Sequence, residues 1–308
     1  MTLTTGLRDS KDTTGEPAAA TRGWPLVLTV IVLLSLTGWA YLTAMVADMV
    51  PAMDMSEAGP GMGIFNTFNL FAGLPDDARA ALAVLCLPAG ATFGMPGQEL
   101  TLLDLGKVFL MWAMMALAMM LPTAIPMLRS YFNLVSRKTG SPRPAAIAAT
   151  LGYLAVWLGY AAVATAAQWA LSRAGALTDM MAPASMALTT SVLIAAGIYQ
   201  FTPAKRACLV RCWYPRWAFA RNEAGPSASA GFQEGMVQGW ACLGCCWAVM
   251  TVMFAVGLMN IIWIALLGGV MALEKTFPSR FAPYAIGAVL LAWGGFLAAL
   301  LLSGGLAA

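Results

Sequence analysis

Seven predominantly apolar runs, near residues 25–47, 103–121, 146–171, 184–202, 236–256, 258–273 and 282–303, govern what this chain can become. About 20 apolar residues are what a helix needs to cross the hydrocarbon layer of a bilayer. The pattern predicts an all-α, polytopic transmembrane helical bundle of about seven spans. A content of 60% hydrophobic and 10% charged residues lies well outside the soluble globular range and agrees with that reading. The fifth and sixth runs are nearly continuous and part around Gly257 and Asn260.

Basic residues fix the expected orientation, because Lys and Arg accumulate in cytoplasmic loops. Arg8, Lys11 and Arg22 precede the first run. Arg129, Arg137, Lys138 and Arg143 separate the second from the third, and Lys205, Arg206, Arg211, Arg216 and Arg221 the fourth from the fifth. Lys275 and Arg280 separate the sixth from the seventh, whereas the alternate loops hold Arg79 and Arg173 alone. The alternation predicts an N-terminus inside and a C-terminus outside. Residues 1–23 read as a disordered cytoplasmic tail and 24–303 as a single transmembrane domain. Its outer loop spans 48–102, with an apolar stretch at 78–91 suited to an interfacial helix. Its inner basic loop, 203–233, interleaves Trp213, Tyr214, Trp217 and Phe219 with Arg and suits the headgroup layer.

Within these runs the sulfur is concentrated. Cys242, Cys245 and Cys246 stand at i, i+3 and i+4, on one helical face. Met111, Met115 and Met119 are each four apart and predict a thioether ladder on the second span. By residue count along their helices, Cys242–Cys246 and Met111–Met115 are expected at one depth near the midplane. The small residues Ala113, Ala116, Ala118, Gly239 and Gly244 would let spans two and five pack together. Cys208 and Cys212, at i and i+4 beyond span four, sit among Lys205, Arg206 and Arg211, which would lower their pKa. A Met-rich outer stretch, Met49, Met53, Met55 and Met62 with Asp48, Asp54 and Glu57, resembles a loose copper-collecting segment. The chain has 21 Met, 6 Cys and no His. A bound metal would therefore meet soft sulfur, which favours Cu(I) over Zn. Each group also has a plain structural reading, since Met and Cys are common fillers of helix interfaces.

Asp104 and Lys107, three apart, are expected to pair with each other. Glu274 and Lys275 close the sixth run, as boundary markers or with Glu274 as a proton or cation relay. The chain has no phosphate-binding glycine loop and no dinucleotide fingerprint. Without His it can form neither a Ser–His–Asp set nor His-ligated haem. No catalytic residue is assigned, and the small net charge of +3 gives no basis for nucleic-acid binding.

Three segments together resemble a known family. They are Trp112-x-x-Met115 through Ala118-Met119-Met120-Leu121-Pro122, and Gly197-Ile-Tyr199-Gln200 through Cys208-Leu209-x-x-Cys212. The third is Gly235 through Gly239-x-x-Cys242-x-Gly244-Cys245-Cys246-Trp247, ending at Glu274-Lys275. The chain resembles, over roughly residues 100–276, the bacterial predicted metal-binding integral membrane proteins, the domain-of-unknown-function 2182 group. In that family Arg usually follows the second loop Cys; Trp213 stands there here. The resemblance implies metal binding in a bacterial inner membrane. Expected partners are the lipid bilayer and a protein that donates or accepts the metal. Three functions remain open: Cu(I) transport or delivery, thiol redox or electron transfer through Cys245–Cys246 or Cys208–Cys212, and a structural or assembly subunit of a larger membrane complex.

Overall fold

The computed structural model describes residues 23–50, 54–68, 102–137, 142–178, 181–214 and 227–306. The expected tail through residue 22, the helix expected at 78–91, Met53, Trp217 and Phe219 lie outside them. Among the described residues the regular structure is helical, with one isolated bridge between Leu177 and Pro183. In chain order the helices are α1 (Trp24–Met49), α2 (Leu102–Thr123), α3 (Ile125–Ser136) and α4 (Arg143–Arg173). They continue with α5 (Met186–Gln200), α6 (Pro203–Trp213), α7 (Ala228–Val256), α8 (Ile261–Thr276) and α9 (Phe281–Leu306).

Five helices, α1, α2, α4, α7 and α9, are long and apolar enough to cross a membrane. The other two expected spans, α5 and α8, have 15 and 16 residues. At 1.5 Å per residue they are about 22 and 24 Å long, short of a hydrocarbon core of about 30 Å. The division at 257–260 is present: Gly257 takes φ +97° and Asn260 caps α8, its Oδ1 accepting from Trp263 N at 3.2 Å. A Cβ on Gly257 would strike the Ala58 carbonyl, so this turn is seated on the short 3₁₀ segment Met55–Ala58. Asn260 Nδ2 and Trp263 Nε1 both donate to the Pro60 carbonyl, at 2.9 and 3.1 Å, and complete that junction.

One helix departs from regular geometry. Residues Ala116–Met120 of α2 form a π-helical turn, with Leu121 N–H bonding back to Ala116 O. Pro122 has no N–H to offer the Ala118 carbonyl four residues earlier. Trp39 Nε1 of α1 takes that carbonyl at 3.1 Å instead. An i→i+5 turn also shifts the side-chain register by one residue. Met120, rather than Met119, thus continues the row of Met111 and Met115. The predicted ladder is broken at its last rung, and Met119 packs instead on Gly268 of α8.

α7 takes α4, not α2, as its close partner. Gly231, Gly235 and Gly239 form a row at i, i+4 and i+8, and a Cβ on the first two would strike the carbonyls of Ala145 and Ala149. Gly152 of α4 returns the fit against the Phe232 carbonyl. The expected pairing of spans two and five is thereby corrected: the small-residue face of α7 is spent on α4. α5 lies along α9, with Gly197 against Leu291 and Gly294 against Ile194.

Candidate metal site at the basic end of the bundle

The sulfur cluster is assembled at one level by six elements. α7 carries Cys242, Cys245 and Cys246, all buried. Tyr199, near the end of α5, donates to the Gly244 carbonyl at 2.6 Å. Lys275, near the end of α8, reaches Cys242 and Thr123, and Thr123 ends α2. The cluster therefore lies level with the basic ends of α2, α5 and α8, while α4 and α7 continue beyond it. Met111 and Met115 sit about 13 and 7 Å farther along α2 than Met120, at 1.5 Å per residue. The expectation of a shared depth with Met111 and Met115 near the midplane is corrected accordingly. Both are fully buried core residues, and the methionine at the level of Cys242 is Met120.

The fifth element is α6, which lies against α7. Thr202 caps it, accepting from Lys205 N at 3.2 Å, and Pro203 supplies its pre-set first residue. Cys212 Sγ lies 3.7 Å from Cys245 Sγ, and Cys245 Sγ lies 3.3 Å from Cys246 Sγ. Cys208 faces Gly244, where any Cβ would crowd its sulfur. All five described cysteines are free thiols. The candidates Cys212, Cys245 and Cys246 thus form a row of sulfur contacts, with Cys208 beside it. Among the described residues, no group of three or more Cys, Asp or Glu is placed to hold a metal ion. What the row supplies is pairs. Two thiolates bound at about 2.3 Å to one metal at a tetrahedral angle are about 3.8 Å apart, close to the Cys212–Cys245 separation.

Polar groups outside the predicted ligand set hold this row in place. Lys205 Nζ donates to Glu274 Oε2 at 2.7 Å and to the Cys245 carbonyl at 2.6 Å, with both side chains fully buried. Trp213, standing where the resembled family has Arg, donates Nε1 to the Glu274 carbonyl at 2.9 Å. These contacts pin α6 to α7 and α8. Lys275 turns the other way, donating to Cys242 Sγ at 2.7 Å and Thr123 Oγ1 at 2.9 Å, with Met120 Sδ at 3.8 Å. The Tyr153 hydroxyl of α4 lies 2.9 Å from Cys242 Sγ and 3.0 Å from the Met120 carbonyl. Tyr153, Lys205, Glu274, Lys275 and Met120 are absent from the predicted ligand set. The signal for Lys205 and Lys275 was present: an ammonium at the end of an apolar run needs a partner or water.

Two further expectations change. Burial pushes the Cys208 thiol up, against the opposing pull of Arg211 and Lys205, so the predicted activation by basic neighbours is not realised there. In the outer Met stretch the described Met49, Met55 and Met62 are buried, and Asp54 caps its own turn by accepting from Ser56 N at 2.9 Å. The Asp104–Lys107 pair forms as expected, at 3.2 Å.

No curated protein and no solved structure matches the chain. A family model described as PpoB2, a copper chaperone, matches residues 109–297, a span that contains every helix bearing the sulfur row and the side chains that hold it. The chain belongs to the PpoB2 copper chaperone family.

Proposed function

We propose that this chain is a bacterial inner-membrane copper chaperone that carries Cu(I) on thiolates at its basic end and passes it to a protein partner. The observation that carries this reading is the convergence of Cys212 from α6 on Cys245 of α7 at 3.7 Å, with the Cys245 sulfur itself 3.3 Å from that of Cys246. Paired soft sulfur, with no group of three or more Cys, Asp or Glu placed to hold a metal among the described residues, suits Cu(I), whereas a closed Zn site takes four ligands. A linear two-thiolate complex would set its sulfurs about 4.6 Å apart, twice a metal–sulfur length of about 2.3 Å. From the present Cys212–Cys245 separation that requires α6 to shift by about 1 Å. Because α6 is a short helix on the rim of the cluster, such a shift is also a route for handing the ion on. Met111, Met115 and Met119 are assigned to packing, and Cys208 to supporting Cys212.

Cu(I) content of the purified protein tests the reading. Replacing Cys242, Cys245 and Cys246 together by Ser should reduce retained copper at least tenfold while helix content stays unchanged. Copper retention equal to wild type in that variant ends the proposal. The thiol redox alternative now centres on Cys212 and Cys245, and a disulfide between them forming under mild oxidation, with no thiol-dependent copper, would favour it.

The seven-span, N-inside arrangement is part of the same proposal, since it places the basic end and its thiols in the cytoplasm. A reporter fused after Ala308 should behave as periplasmic and one inserted near Ser227 as cytoplasmic. The same side for both rules the arrangement out.

A further inference from the structure

The sulfur cluster contains a fixed positive charge. Lys275 carries three N–H donors, and the structure directs them at Cys242 Sγ, Thr123 Oγ1 and Met120 Sδ. Among the described residues no carboxylate lies within ion-pairing distance of it: the neighbouring Glu274 is committed to Lys205. Lys205 and Glu274 cancel each other in charge, so the site as a whole carries the unbalanced charge of Lys275. Bound metal requires deprotonated thiolates. Two thiolates with Cu(I) leave a net charge of −1, and Lys275 brings the sum to zero. Two thiolates with a divalent ion sum to zero alone, and Lys275 then leaves an uncompensated +1. Cys242, Cys245 and Cys246 are buried and Lys275 is half-buried; in such a setting an unpaired charge is costly, whereas a neutral set is tolerated.

We propose that Lys275 selects the charge of the cargo: its ammonium, held against Cys242 by Thr123 and Met120, makes the thiolate site neutral with a monovalent soft cation and mismatched with a divalent one. The inference rests on the copper-carrying reading above. Lys275 is here a positioning and charge-balancing residue; it does not ligate the ion. The Glu274–Lys275 step thus does two jobs from adjacent positions, with Glu274 anchoring α6 through Lys205 and Lys275 setting the charge that the site accepts.

The test is competition between Cu(I) and Zn(II) for the full-length protein, read as the ratio of their dissociation constants. Lys275→Met should move that ratio toward Zn(II) by roughly tenfold, the scale of breaking a buried charge balance discounted for a half-buried ammonium. Lys275→Arg keeps the charge and should hold the ratio within about threefold of wild type, a rescue that a purely structural role does not predict. An unchanged ratio in Lys275→Met overturns the inference. Should Lys275→Met fail to accumulate as folded protein, the wild type decides through Ag(I) and Cd(II). Ag(I) should displace Cu(I) and Cd(II) should not; displacement by Cd(II) overturns the inference. If the wild type binds no Cu(I) through its thiols, the copper-carrying reading itself fails. If it binds Cu(I) and Lys275→Met keeps the ratio, only the role of Lys275 does.

Discussion

Replacing Gly235 with alanine should destabilise the protein by about 3 kcal/mol, the upper part of the range for overpacking a close-packed site. The added Cβ would strike the backbone carbonyl of Ala149, which cannot rotate away as a side chain can. Relief requires α4 and α7 to separate along the Gly231–Gly235–Gly239 row. That separation also draws the Tyr153 hydroxyl from Cys242. The control is Gly159→Ala on α4, where the new methyl meets nothing within 4 Å. Alanine there should be neutral or stabilise by up to about 1 kcal/mol, the intrinsic helical preference of Ala over Gly. Unfolding midpoints in detergent compare the two. Equal stability of the Gly235 variant and wild type removes the α4–α7 contact as an organising feature.

The same row shows which part of a helix contact a sequence specifies. Small residues at helical spacing announce a close helix–helix contact, and Gly239 and Gly244 were picked out as such. The receiving helix is not written in the row itself, since α4 offers Ala145 and Ala149 and α2 offers Ala113, Ala116 and Ala118 on equal terms. Only tertiary packing chooses between them. Gly244 turns out to serve α6, where Cys208 lies over it. The Met ladder failed for a local reason. A period of 3.6 residues per turn places Met119 on the row, and the π turn at Ala116–Met120 displaces the register by one. The warning lay in Pro122, whose missing N–H disturbs the turn before it. The cysteines stand out in the sequence because three thiols in five apolar residues have few uses. Their neighbours were not, because Lys205 lies 69 residues from Glu274 and Lys275 33 from Cys242. The basic residues were read through their effect on topology, and that reading is silent on which of them fold back into the bundle.

Lys205→Met should cost about 3–5 kcal/mol, the range for removing one partner of a buried ion pair. Glu274 would be left in the interior with its Oε1 already without a hydrogen-bond partner and its Oε2 newly so. The loss has a specific route, because Lys205 also holds the Cys245 carbonyl at 2.6 Å and so couples α6 directly to the helix of the cluster. Release of α6 takes Cys212 away from Cys245, and the alkylation rate of Cys212 should rise by at least tenfold in the variant. The double variant Lys205→Met with Glu274→Leu removes both charges. It should recover most of the lost stability, since an apolar pair of similar size often replaces a buried ion pair at little cost. It should not recover the protection of Cys212 fully, because the hydrogen bond to the Cys245 carbonyl is still missing. If Lys205→Met unfolds within about 1 kcal/mol of wild type, the pair is not what docks α6. If the double variant is as unstable as the single one, burial of an unpaired carboxylate is not the cause of the loss. Cys212 reactivity then separates docking from stability: protection unchanged from wild type would mean that α6 is held by its apolar contacts, chiefly the fully buried Leu209, and that the thiol row forms without the ion pair.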